Sequence, residues 1–192
     1  MSDVASVILL IAGVALVAIL VTLHVLPTGL SPLRTPVSQY AITRYGAGYR
    51  AATIAAAVAG SAFAVVMQTA SAGVAALITA VLLVVFALSR LLIGFLPMDA
   101  PGAAPTRSGR AHTVLAFTTF GSVTAAAFVA GGVFHDVGRP ELAAFSTAMG
   151  AVMAVGTLAM VVARRVYGFG ERVIYVGFIA WFIGVAIAML IG

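Results

Sequence analysis

The chain has 192 residues, of which 63% are hydrophobic and only 8% charged, and its mean hydropathy is +1.20. That balance excludes a soluble domain whose surface must face water and makes a bilayer the solvent. The net charge is +5, but the ten basic residues are all arginines in short gaps between apolar runs, so nucleic acid is not the partner; the lack of cysteine excludes disulfides and thiolate chemistry.

A membrane-spanning helix needs about 20 largely apolar residues. Six runs meet that length: Val4 to Leu26, Tyr49 to Ala70, Gly73 to Leu96, Ala111 to Phe134, Leu142 to Ala163 and Arg172 to Ile191. The first has no basic leader and no small-residue cleavage site followed by a soluble domain, so it reads as a retained helix rather than a signal peptide. The expected fold is all-α: an integral membrane bundle of six transmembrane helices, one domain over residues 1–192, with a short interfacial helix after the first span.

That short helix belongs to the longest link, "PTGLSPLRTPVSQYAITRYGAGYR". Thr35 can cap it, Pro36 suits its first turn and Gly46 can end it. Val37, Tyr40, Ala41 and Tyr45 share one face, the pattern of a helix lying in the interface with its apolar face down. A functional reading has Ser38, Gln39 and Tyr40 covering a pocket that opens between the helix ends.

Small residues recur at four-residue spacing at Ala52, Ala56, Gly60 and Ala64, and again at Ala180, Gly184, Ala188 and Gly192. Such stripes let backbones approach closely where lipid supplies no hydrophobic force, and packing within the bundle is their expected use. If both termini lie on one face, the opposite face collects nine of the ten arginines and leaves only Arg139 beside the termini. By the positive-inside rule the arginine-rich face is cytoplasmic, which places both termini outside a bacterial inner membrane.

Polar residues gather in and beside "FLPMDAPGAAPTRSGRAH". Alternate threading brings His24, Asp99 and His112 to similar depth, and two imidazoles with a carboxylate are one ligand set for a divalent metal with an open position. Arg90 lies seven residues before Pro97, about 10 Å along a helix, where a guanidinium faces the bundle or a wet cavity and needs a partner. The "TRSGR" stretch adds Arg107, Ser108 and Arg110 just before the fourth helix, whose first amides favour an anion. The functional reading makes Arg90 the floor of an anion pocket, while snorkelling toward the cytoplasm or a salt bridge with Asp99 would make it structural; Asp99 can instead cap a helix or pair with Arg107 or Arg110. His135 and Asp136 read as a polar turn capping the fifth helix, and Met149, Met153 and Met160 as core filler.

The stretches "LHVLPTGLSPLRTPVSQYAIT", "FLPMDAPG" and "TRSGRAH" resemble an uncharacterised bacterial family of multi-pass membrane proteins, domain of unknown function 998. The resemblance spans nearly the whole chain and implies a multi-helix membrane fold with polar residues on one side. It brings no activity. Three function classes therefore stay open. The favoured one binds an anionic lipid or small amphiphile at a cytoplasmic-side pocket made by Arg90, Arg107, Ser108, Arg110 and Tyr40, as a lipid-binding protein or as a subunit with a membrane-protein partner or in a homo-oligomer. The others are an intramembrane metal-dependent hydrolase or transferase using His24, Asp99, His112 and Ser38, and a haem protein with His24 and His112 as axial ligands.

Overall fold

The structure, a computed structural model, describes residues 2–192. Six α-helices follow in order: α1 (Ser2–Val25), α2 (Gly46–Ala70), α3 (Val74–Ile93), α4 (Arg107–Asp136), α5 (Pro140–Val162) and α6 (Tyr167–Ile191). Each is long and apolar enough to cross a membrane. Short 3-10 helices occupy Val37–Ile42 and Arg164–Val166.

The ends of these helices follow local chemistry. Asp3 lies in the first turn of α1, where a negative charge suits the positive end of the helix dipole. Pro140 opens α5, where its missing N–H costs nothing. The fourth helix begins earlier than its apolar run, because Thr106 caps it: the Thr106 Oγ accepts from the Gly109 N–H at 3.0 Å. Arg107, Ser108 and Arg110 are therefore the first turn of α4 rather than a loop before it. The sixth also begins earlier, at Tyr167, which brings Glu171 inside the helix.

Two expectations about turns are corrected. Thr35 caps nothing, since the 3-10 helix starts after Pro36 with no side-chain cap, and Gly46 opens α2 instead of closing the short helix. This helix lies against the end of the bundle, with Val37 and Tyr40 each 1% exposed, because α2 and α6 cover its apolar face. Asp136 ends α4 and does not cap α5, whose N-cap position is Arg139.

Consecutive helices are neighbours, and α6 closes the ring by packing on α1. The expected small-residue stripe in α2 is buried, and at Gly60 it seats the Phe86 ring of α3 where a Cβ would come within 2.7 Å of it. Between α5 and α6, Gly156 and Gly170 approach so closely that a Cβ on either would stand 2.7 Å from the other's carbonyl oxygen. Aromatics of α6 fill the centre: Trp181 meets Phe63 at 4.6 Å and Phe178 meets Phe86 at 5.4 Å, in tilted and edge-on arrangements. The Trp181 indole N–H donates to the Ser146 hydroxyl at 2.9 Å, so the core carries no orphaned indole donor.

Candidate functional site

A partly open cavity of ≈ 230 Å³ lies at the bundle end where α1, α3 and α5 finish and α2, α4 and α6 begin. One water needs only about 10–15 Å³, so there is room for a ligand group. Its polar wall is made by Tyr49, Arg90, Asp99, His112, Tyr167 and Glu171, and Ser38 of the 3-10 helix completes it. Phe117, Phe120 and Met160 supply an apolar side.

Arg90 occupies the last turn of α3, three residues from Ile93, and is 1% exposed. Its burial comes from neighbouring helices and not from distance along its own. The guanidinium Nη2 donates to the Tyr175 hydroxyl, and the group lies 4.8 Å from that ring's centroid, a cation–π contact. The Nε of Arg90 is buried without a hydrogen-bond partner. No carboxylate is in direct contact with it among the described residues.

The carboxyl group that shares this space is Glu171, 4% exposed, on the first turns of α6. Its Oε2 accepts the Val37 N–H at 2.6 Å, which ties α6 to the 3-10 helix. Sequence reasoning missed Glu171 because the last apolar run was begun one residue later, at Arg172. The available signal was compositional: it is one of only five acidic residues, and it borders a membrane-length run.

Asp99 does not pair with Arg90. Its Oδ1 accepts from the Thr106 hydroxyl at 2.6 Å and its Oδ2 from the Thr106 N–H at 3.1 Å. These bonds, the hydroxyl's first, hold its carboxyl below the usual carboxylate range. The start of α4 thus already has its anion, supplied by the chain itself. Gly109 makes this possible, since a Cβ there would run into the Asp99 carboxylate. The expected anion cradle at this turn is corrected accordingly: Arg107 and Arg110 are exposed and do not line the cavity, and Ser108 donates to the Pro97 carbonyl at 3.1 Å. Tyr40 is also outside the cavity wall, its ring 5.4 Å from that of His24.

The expected meeting of His24, Asp99 and His112 does not occur. The end of α1 packs on α2 and α6, whereas His112 belongs to α4, between α3 and α5. His24 Nδ1 lies 2.7 Å from the Leu20 carbonyl, and its Nε2 accepts from Arg172 Nε at 2.8 Å, so neither ring nitrogen is free to ligate. Among the described residues no group of three or more His, Cys, Asp or Glu side chains is placed to hold a metal ion. His24 lines a separate apolar groove between α1 and α6, which removes the axial pair required for haem as well.

His112, 4% exposed, remains on the cavity wall. Its Nδ1 lies 2.7 Å from the Leu96 carbonyl, and its Nε2 is buried without a partner. Ser38, 8% exposed, offers its hydroxyl only to the weak acceptor Met98 Sδ, at 3.4 Å. The cavity therefore combines a buried cation, a buried carboxyl group, two tyrosine hydroxyls and a histidine, with an unpartnered donor at Arg90 and an unpartnered acceptor at His112.

No curated protein and no solved structure matches the chain. A family profile described as "Protein of unknown function (DUF998)" matches residues 10–188. With six apolar helices of membrane-spanning length and a match over nearly its whole length, this multi-pass integral membrane protein belongs to the DUF998 family.

Proposed function

We propose that the cavity binds the phosphate or carboxylate group of a membrane amphiphile's headgroup, with Arg90 as its principal anchor. The observation that carries this reading is a guanidinium 1% exposed at a cavity wall with, among the described residues, no partner for its Nε and no carboxylate in contact. A buried arginine needs acceptors, and phosphate or carboxylate oxygens suit its planar fork. The apolar side formed by Phe117, Phe120 and Met160 suits the first carbons of an acyl chain. The arginine-rich end faces the cytoplasm in this reading, both termini lie outside, and the headgroup comes from the inner leaflet of a bacterial membrane.

The test is the lipid that stays with the purified protein. Arg90→Gln is expected to lose co-purifying phospholipid, while Arg110→Gln, which changes an exposed arginine outside the cavity, keeps it. Equal lipid content in both variants would sink the proposal. Orientation is tested separately in this cysteine-free chain by labelling intact cells: Asp136→Cys is expected to react from outside and Ala103→Cys only after permeabilisation, and the reverse pattern would turn the protein over.

A further inference from the structure

The cavity wall offers lone pairs as well as N–H groups, and this restricts what an occupant can be. A carbonyl oxygen only accepts, so the 2.7 Å contact between His112 Nδ1 and Leu96 O places the ring proton on Nδ1. The Nε2 of the neutral ring is then an acceptor, and it is buried with no donor among the described residues. Also on the wall, from α6, Glu171 presents a carboxyl group of which Oε2 takes the Val37 N–H. An occupant with acceptors alone would satisfy Arg90 and leave the His112 lone pair orphaned, at the cost of a buried unsatisfied polar atom.

Resting on the headgroup reading above, we infer that the ligand is a phosphodiester headgroup that also carries a hydrogen-bond donor, an ammonium N–H or a hydroxyl, directed to His112 Nε2 and the Glu171 carboxyl group. Arg90 takes the phosphate, and His112 and Glu171 read the group beyond it. Phosphoethanolamine and phosphoglycerol headgroups share this chemistry. Phosphocholine has the same phosphate and a positive charge but no N–H, so it leaves the histidine acceptor unsatisfied. Specificity of this kind arises because a site built to hydrogen-bond a donor discriminates against the analogue lacking it.

The test uses the full chain, delipidated in detergent and titrated with phosphatidylethanolamine, phosphatidylglycerol and phosphatidylcholine of identical acyl chains. Bound lipid is counted by native mass spectrometry, and the unfolding of each variant is followed through its single tryptophan, Trp181. The wild type is expected to prefer the ethanolamine or the glycerol lipid over phosphatidylcholine by roughly tenfold, the effect of one satisfied buried acceptor. His112→Leu is expected to abolish the preference while still binding phospholipid, and His112→Gln, whose amide oxygen accepts, to restore part of it. Comparing the two donor lipids identifies which headgroup is used. Glycerophosphoethanolamine and glycerophosphoglycerol, which lack acyl chains, distinguish a free water-soluble ligand from a lipid; binding of either with the same His112 dependence supports the headgroup rule. Arg90-dependent binding with phosphatidylcholine taken equally well would overturn the inference and leave the proposed function standing. Binding indifferent to Arg90→Gln would overturn both.

Discussion

Replacing Arg90 by methionine keeps a long flexible side chain in the core of the cavity wall and removes its charge. The wild-type guanidinium makes a charge-assisted hydrogen bond to Tyr175, about 1.5–3 kcal/mol, and a cation–π contact of about 0.5–2 kcal/mol. Allowing for the cost of burying the guanidinium in the wild type, the net loss expected for Arg90→Met is about 2–4 kcal/mol. Glu171→Gln is milder, about 1–2 kcal/mol, because the amide oxygen still accepts the Val37 N–H. The informative measurement is the double variant. Opposite charges at 4 Å interact by about 4 kcal/mol at an effective dielectric of 20; this pair is not in direct contact, so under conditions that ionise the Glu171 carboxyl its coupling is expected to be about 1–3 kcal/mol. The double variant is then less destabilised than the sum of the singles by that amount. Trp181, the only tryptophan, reports unfolding in mixed micelles without a label. Additivity within about 0.5 kcal/mol would refute the account of Arg90 and Glu171 as charges sharing one low-dielectric space.

Gly109→Ala is expected to push Asp99 off the start of α4 and cost about 1–3 kcal/mol, read from the same Trp181 signal; an unchanged protein would show that the Asp99 contact is dispensable. Because the folded carboxyl of Asp99 is held below its ordinary value of 3.8, its stabilising effect is present above that pH and is lost as pH falls through the lowered value. Thr106→Ala removes the main cause of the shift, so it is expected to flatten the acid limb of the stability profile, and an identical acid limb would refute the assignment. Ser146→Ala orphans the buried Trp181 N–H and is expected to cost about 1–3 kcal/mol with a shift in tryptophan emission, whereas an unshifted spectrum would place the indole donor elsewhere.

The six spans were legible in the sequence because a bilayer demands an apolar run of fixed length, and the single polar end was legible because alternate threading sorts the links by parity. Arg90 stood out for the same reason, as a charge inside such a run. Neighbour order was not legible: only the closed ring reveals that the end of α1 adjoins α6, so His24 meets Arg172 instead of His112. Capping shifted other assignments. Thr106 and Asp99 extend α4 backward by a turn and occupy the Thr106 and Gly109 amides, two of those the "TRSGR" stretch offered to an anion. Glu171 was hidden by a boundary error of a few residues, since a helix counted from its apolar residues alone omits the charged turn that precedes them. Of Ser38, Gln39 and Tyr40, which the link offered as a cover for a pocket between helix ends, only Ser38 lines the cavity, and the helix that carries it is a 3-10 helix held against the bundle.

The bonds between α6 and the first link also have a consequence for biosynthesis. Glu171 holds the Val37 N–H, and Arg172 reaches both His24 Nε2 and the Thr35 carbonyl, each at 2.8 Å. These partners lie more than 130 positions apart along the chain, and the translocation machinery delivers helices in order. While the first five spans are already in the membrane and the sixth is still emerging, the link after α1 lacks its clamps and the carboxyl group of the cavity has not arrived. The cavity is therefore the last part of the molecule to be completed, and a nascent chain stalled before α6 would be membrane-inserted yet lack the Glu171 side of its wall.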